Sequence, residues 1–596
     1  MIFDLNKILK KYSLGNKKVA YLELKKYLKK NKDISAHYNL AVMEQQLSYT
    51  DLAIKNYKSI LKVSPNHLKS IINLYLIYLK KGDFEYAHNL INKAIIIENN
   101  NQDFIRDKSL VLYYLKKNDE ALKYAKKAIE LNPKDLLAIN NFSLILMRSR
   151  KYLEAKKILE KGLALDKNNI YLINSMGRCC GYLNEKTNAI SFYKRAIEIE
   201  PNAPEPINNL AGYFSDQGQY KKSIIYYKNA IKKDPKNIII NANIAKVYLH
   251  LNNDKLAESY LQFCLKLDQD NSMVRKTYSL LLLKKQQYKK AWGYFDGRLN
   301  LTDFSEKNSQ VSIIKNYLWN GKKINKDDRI LIIREQGVGD EILYGTIYPD
   351  LLKKFEYVTI EADKRLISLF SYSLKLNNNQ KFVPLGSFSS NPKKIKLFQK
   401  VMYAGSLCKI FRNNLQDFNQ IPYLKCPNTD PEIEDFLKKN TSKYKIGISW
   451  KSFQNTYGDS KSISLETLEP ILRNKEISFI NLQYGDVKNE IKRFLKNNSL
   501  IIKTFSNIDL FNDFNKISIL LNKLDIFITV SNSTAHLAGA LGIRTILIKP
   551  KSHATFHYWN QPNDKTPWYK SIKIISYVNN IDLIKKINDE IKKIKF

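Results

Sequence analysis

Cysteine is scarce in this chain of 596 residues, and the five present, Cys179, Cys180, Cys264, Cys408 and Cys426, include no Cys-x-x-Cys pair. A disulfide framework and a zinc ribbon are excluded, and a reducing compartment fits, with the thiols packed as small apolar groups. Long apolar runs are missing too. No window reaches about 18 uncharged apolar residues, so no transmembrane helix is expected. The opening Met1-Ile2-Phe3-Asp4-Leu5-Asn6-Lys7 carries an early acid and lacks the apolar core of a secretory signal. The expectation is a cytoplasmic protein. There is no GxxxxGK[ST] loop, no HExxH and no GxSxG elbow, and His553 and His557 lack a third ligand nearby, so no metal site or cofactor is expected. Acids are short as well: 57 Asp+Glu face 98 Lys+Arg, a formal charge of +41. The lysines are spread evenly, with no Arg-rich stripe and no basic tract interleaved with aromatics. Nucleic acid is therefore not an expected partner, whereas weak peripheral attraction to an anionic membrane surface is compatible with the charge.

What is present is the apolar and aromatic share of a folded protein, 44% and 12%, in a chain too long for one core. The first half repeats. Small residues recur every 34 positions at Ala53, Ala87, Ala121, Ala155, Ala189, Ser223, Ala257 and Ala291. A second small residue follows seven later at Ala94, Ala128, Ala196 and Ala230, and proline twelve later at Pro65, Pro133, Pro201 and Pro235. Small residues let helices pack closely, and the proline stops the second helix of each unit. The pattern resembles the tetratricopeptide repeat: eight units over residues 34–305 and a degenerate first one around Val19 and Ala20, forming an α-solenoid superhelix. The sixth position of each unit is expected to face the concave side, and it carries Asn39, Asn73, Asp107, Asn141, Ser175, Asn209, Asn243 and Thr277. The amides Asn39, Asn73, Asn141, Asn209 and Asn243 read as a ladder for the backbone of an extended peptide, since each offers a donor and an acceptor. They also read as residues common at this position of such repeats.

After a packed linker over 306–328 the period changes to short apolar runs alternating with amphipathic stretches, as in α/β folds. A first lobe, 329–440, has strand candidates at Ile330–Ile333, Tyr357–Ile360 and Val401–Tyr403; its stretch Asn377–Lys400 shows no pattern. A second lobe, 441–596, has them at 444–450, 478–482, 525–530, 545–548 and 572–575, and ends in a helix from Asn580. In the first lobe a glycine turn, Glu335-Gln336-Gly337-Val338-Gly339-Asp340-Glu341, hands a strand to a helix. Its acid either caps the helix or serves as a base. In the second lobe Val530-Ser531-Asn532-Ser533-Thr534-Ala535-His536 offers hydroxyls, one histidine and helix N-terminal N–H groups, a setting for a diphosphate or simply a helix cap. Lys461, in the loop Gly458–Ile463, is a second candidate for phosphate, and Gln483 for a base or ribose. The aromatic stretches His557-Tyr558-Trp559 and Pro567-Trp568-Tyr569 either line the cleft or pack a long loop.

Taken together, Glu335–Asp340, Ile446–Trp450, Lys461–Leu465 and Val530–Gly542 resemble the heptosyltransferase-like glycosyltransferases of family 9, here joined to tetratricopeptide repeats. The resemblance implies a GT-B fold of two Rossmann-like lobes, the acceptor lobe first and the donor lobe second. It also implies inverting, metal-independent transfer of a sugar from a nucleotide-sugar. Asp340 is then the general base, with Gly337, Gly339 and Glu341 shaping its turn. Ser531, Asn532, Ser533, Thr534, His536, Lys461, Gln483 and Trp450 surround the donor. The chain departs from that pattern at Ser531-Asn532, where such proteins usually carry an acid. An architectural likeness to the O-linked N-acetylglucosamine transferase of proteins, which also joins an Asn-lined superhelix to a GT-B domain, makes a protein or peptide acceptor an expected partner. The alternative expectation is an adaptor whose repeats bind a partner and whose transferase-like domain no longer turns over.

Overall fold

The computed structural model describes residues 5–29, 31, 33–301, 311–427, 429–440, 442–453, 461–498, 500–549, 557–559 and 564–593. The expected boundary between repeats and linker, at 305/306, lies outside them, as do Gly458 to Ser460 and His553. The chain forms two compact units, Met1–Ile240 and Asn241–Phe596. The division therefore falls inside the helix Ile238–His250 and groups the last repeats with the α/β half.

The first unit is a stack of helix pairs. The second helices start at Thr50, Phe84, Asn118, Tyr152, Lys186 and Tyr220, and the first helices at Ile34, Leu68, Gln102, Leu136, Ile170 and Pro204, so each set keeps a 34-residue step. From Leu5–Ser13 to Tyr220–Lys233 every helix packs on the next. The reason is the column of small residues: Ala53, Ala87, Ala121, Ala155, Ala189 and Ser223 are all 0% exposed. At those points a larger side chain would push neighbouring helices apart. The turn between the two helices of a pair is equally regular. Ser48, Gly82, Lys116, Arg150, Asn184 and Gly218 occupy the left-handed region, again 34 apart, and only two of them are glycine. The degenerate first pair, Leu5–Ser13 and Lys17–Leu28, is shifted by one residue. Val19 is 53% exposed and Ala20 takes the buried place.

The second unit begins with the remaining repeat helices, Asp254–Leu267, Ser272–Lys284 and Tyr288–Phe295, where the small-residue column continues in Ala257 and Ala291. Two parallel sheets follow. The first comprises β1 (Ile330–Ile333), β2 (Val358–Ala362), β3 (Gln380–Pro384) and β4 (Lys400–Tyr403), in the order β3-β2-β1-β4. Strand β3 falls within the stretch that showed no pattern. It is an edge strand in which only Gln380 and Phe382 are buried, so no apolar run marks it. Gln380 reaches inward and donates to the carbonyls of Leu352 and Phe355 at 2.7 and 2.9 Å. In the linker Leu318 bridges to Val401 beside β4, and Ile314 enters the core of this lobe.

The second sheet comprises β5 (Tyr444–Ser449), β6 (Ile477–Asn481), β7 (Ile526–Val530), β8 (Thr545–Ile548) and β9 (Ile572–Ile575), in the order β6-β5-β7-β8-β9. The C-terminal helix Asn580–Lys592 closes this lobe through Leu583, Ile587 and Ile591, which join its core. In each sheet the strand order reverses once, between β1 and β4 and between β5 and β7, where open parallel sheets leave a crevice at the strands' carboxyl ends.

The buried alanine column makes one expectation concrete. Ala155→Leu inserts three carbons where the helices already touch, and it should cost about 1–3 kcal/mol. A urea titration followed by helical circular dichroism checks this; an unchanged midpoint would refute close packing at that column.

Candidate functional site

Both reversal points carry residues singled out by the sequence. At the end of β1 the chain turns through Glu335, Gln336 and Gly337 into helix α1 (Val338–Gly345). Glu335 is fully buried. Its carboxylate accepts from Arg298 Nε and Nη2 at 2.8 Å each and from the backbone N–H of Gly405, just beyond β4. Gly405 has no room for a side chain: a Cβ there would lie 2.5 Å from Glu335 Oε1. Glu341 is also buried. It pairs with Arg334 at 2.6 Å and accepts from the N–H of Asp363 at 2.9 Å, and burial pushes its carboxyl up to about 7 despite that arginine. Asp340, between these two acids, differs from both. It is half-buried, its Oδ2 lies 3.4 Å from the N–H of Gly337, and its carboxylate meets the Tyr558 hydroxyl. Its carboxylate thus caps the helix start while the residue stays partly exposed.

In the second lobe β7 runs through Ser531 and Asn532 into helix α2 (Ser533–Leu541). Asn532 is the N-cap. Its Oδ1 accepts from Ala535 N at 3.0 Å, and its Nδ2 donates to Ser449 Oγ at 2.9 Å. Ser531 Oγ accepts from Trp559 Nε1 at 3.0 Å. Gln483 is turned inward: its Oε1 accepts from Ser449 Oγ, Trp450 N and Lys451 N at 2.7–3.0 Å, and its Nε2 donates to Tyr484 O at 2.8 Å. Trp450 is a core residue, fully buried, with its Nε1 on Glu490. These four side chains build the loops at the carboxyl ends of β5 and β7. Thr534 is buried beside them, and Ser533 stays half-exposed at the helix start.

His536, one turn into α2, is 2% exposed. Its ring stacks on Trp559 at 4.9 Å, and its Nδ1 lies 3.2 Å from the Tyr569 hydroxyl. Burial, with the charge of Lys461 nearby, drives the imidazole down to about 3, so it is neutral at physiological pH. Lys461 itself is 7% exposed.

The two lobes bring these groups together. Helix α1 packs on α2, and Gly339 sits at the contact. A Cβ on Gly339 would meet His536 Cδ2 at 3.0 Å and the Cα of Ser533 at 3.4 Å. Glycine is what allows this approach. Asp340 and the Ser533–His536 helix start are thus neighbours, closer than a wide cleft would leave them. The aromatic stretches join in: Tyr558 reaches Asp340, Tyr569 reaches His536, and Trp559 lies between Ser531 and His536. Arg298 was not marked by any sequence motif. It follows the last repeat helix in a tight turn, Asp296–Asn300, outside the repeat phase. A cavity of about 300 Å³ lined by Lys451, Glu466, Asn489, Glu490 and Arg493 contains none of the candidate side chains.

Two amides of the predicted peptide ladder, Asn73 and Asn209, are bonded within the repeats themselves. Asn73 Nδ2 donates to the hydroxyls of Tyr38 and Tyr57 at 3.0 and 3.1 Å. Ser175 Oγ donates to Asn140 Oδ1 at 2.6 Å, and Asn209 Nδ2 to Asn174 Oδ1 at 3.1 Å. The bonds to Tyr38, Asn140 and Asn174 each span 35 residues, from the sixth position of one repeat to the fifth of the repeat before. They stitch consecutive repeats together. Asn141 is buried, and Asn39 and Asn243 are half-buried.

The depressed histidine has a measurable sign. Between its ordinary value of 6.5 and about 3, the unfolded chain takes up a proton that folded His536 refuses, so stability falls as the pH falls. Glu341, raised to about 7, acts in the opposite sense and is common to wild type and variant. His536→Gln should flatten the fall in stability between pH 6 and 4.5 by up to about 1.4 kcal/mol per pH unit. Denaturant titrations at several pH values check this, and parallel curves would refute it.

Comparison with known proteins places the first half. A family model described as tetratricopeptide repeat matches residues 107–135, 171–203, 205–237 and 239–271. The last three segments start 34 residues apart, in phase with the helices. Protein FlbA of Caulobacter vibrioides is 22% identical over 334 residues, an alignment covering 51% of each chain, so this chain spans about half the length of that curated relative. A tetratricopeptide-repeat protein of Thermus thermophilus is 18% identical, covers 30% of this chain and 99% of its own, and has a TM-score of 0.29. One from Parabacteroides merdae is 11% identical, covers 42% and 100%, and has a TM-score of 0.36. No helix among the described residues is long and apolar enough to cross a membrane. The first half of the chain thus carries tetratricopeptide repeats, and the second half two α/β lobes, each with one parallel sheet.

Proposed function

We propose that the α/β half is a glycosyltransferase of GT-B type, using a nucleotide-sugar donor and an acceptor hydroxyl. In this reading the repeats recruit the protein or peptide that carries the acceptor or guides it. One observation carries the proposal: α1 and α2, the helices that leave the two parallel sheets beside their reversal points, pack on each other, with half-buried Asp340 on one and His536, near Lys461, on the other. Asp340 takes the proton of the acceptor hydroxyl as its oxygen attacks the anomeric carbon. The bond from that carbon to the diphosphate breaks on the opposite face, which inverts the configuration. The departing diphosphate is received by Lys461 and by the N–H groups at Ser533 and Thr534. His536 contributes as a neutral hydrogen-bonding ring, held by Tyr569 and Trp559.

A second reading, an adaptor with an idle transferase-like domain, is favoured by Ser531. It stands where the resembled family carries an acid, and its hydroxyl is engaged by Trp559. A heat-denaturation panel with UDP-, GDP-, ADP-, dTDP- and CMP-sugars separates the two. A bound donor at about 100 times its dissociation constant should stabilise the fold by about 2.7 kcal/mol, and no shift with any donor favours the adaptor. With the donor in hand, Asp340→Asn should cut transfer by about 10²–10⁴-fold. Melting temperature and donor affinity should hold, because asparagine can still accept from Gly337. Undiminished turnover would remove Asp340 as the base.

A further inference from the structure

The turn that presents Asp340 is held from outside its own lobe. Gln336, four residues before Asp340, has φ 61°, a left-handed conformation that a side chain disfavours. Such a turn needs support from its surroundings. That support converges on Glu335, whose two oxygens meet the guanidinium fork of Arg298 and the N–H of Gly405. Arg298 belongs to the turn that ends the last repeat, and it is itself fully engaged. Its Nη1 donates to Phe295 O at 3.2 Å and Asp296 Oδ1 at 2.7 Å, and its Nη2 also reaches Ser406 Oγ at 3.2 Å. Asp296 in turn pairs with Lys409 and accepts from Ser406. The preceding helix is anchored to the same lobe, with Trp292 Nε1 donating to Arg412 O at 2.6 Å.

We propose that Arg298 and Glu335 are positioning residues for Asp340, so that the last repeat builds part of the acceptor side of the site. The inference rests on Asp340 being the base of the proposed reaction. A planar fork on a carboxylate fixes its plane as well as its place, which a single ammonium does not. With the plane of Glu335 fixed, the Gln336 backbone stays in its disfavoured conformation and α1 starts where Asp340 can meet an acceptor. A pair whose role is stability alone can be exchanged for two apolar side chains of similar volume with little loss. A pair that aims the turn cannot.

The test uses the full chain with Arg298→Met plus Glu335→Met, and separately Arg298→Lys. The double variant should melt within about 3 °C of wild type, since no buried charge is left unpaired. Deuterium exchange at residues 336–340 should nevertheless rise at least about tenfold, with helix Phe514–Asn522 unchanged. Arg298→Lys, which keeps the charge and loses the fork, should raise exchange at the same residues by a smaller factor. Where the wild type transfers a sugar, kcat should fall at least about tenfold in the double variant while KM for the donor stays within about twofold. Wild-type exchange at 336–340 in both variants overturns the proposal. The exchange measurement needs no turnover, so a wild type without transferase activity sinks the transferase reading while the positioning of the turn is still decided.

Discussion

A buried carboxylate without a partner is among the costliest groups a fold can contain, and the second unit is arranged around avoiding that at Glu335. Three segments distant in sequence meet on it: the end of the last repeat, the exit of β1 and the exit of β4. The exit of β1 supplies the accepting carboxylate, and the other two segments supply the donors. The Arg298 fork supplies charge and direction, and Gly405 supplies an N–H with no side chain in the way. Repeats and α/β half are therefore not joined by a tether in this unit. Trp292, Arg298 and the Leu318 bridge to Val401 make the first lobe continuous with the repeat that precedes it.

Around that junction the ionisable groups are graded by burial. Glu341 is sealed against Arg334 and serves the shape of the turn. Asp340, its neighbour in sequence, is left half-exposed. On the other lobe the histidine most easily read as a cation is uncharged, because its stack on Trp559 and its burial remove the water that would solvate a proton. Positive charge near α2 comes instead from Lys461 and the helix start. Asp340 lies against Tyr558, and Lys461 of opposite sign lies near His536, whose ring packs on Tyr558, Trp559 and Tyr569.

Much of this was legible in the sequence, for identifiable reasons. The 34-residue phase survives because every repeat needs a small residue at the same helix contact, and Ala53 through Ala291 record it. Strands β1, β5, β7 and β8 are apolar runs because both faces of a parallel sheet are covered. Strand β3 was not legible, since an edge strand needs only Gln380 and Phe382 inside. The structural use of the amide ladder was hidden because a hydrogen bond from Asn209 to Asn174 leaves the same letters as one to a peptide. Arg298 was hidden for a different reason. Its partner lies 37 residues onward in another fold type, and no local spacing links an arginine after a helix to an acid after a strand.

The left-handed residue that recurs from Ser48 to Gly218 has a consequence for how such a chain can change. From Ser48 to Gly218 each pair closes with the same backbone geometry, and the small-residue column from Ala53 to Ser223 keeps one phase. A block of 34 residues can therefore be duplicated or deleted there and the cut ends will still match. The last pair is not interchangeable in this way, because its final turn is bonded to the α/β lobe. The architecture separates a reach that can be lengthened or shortened from a terminal unit that must stay as it is.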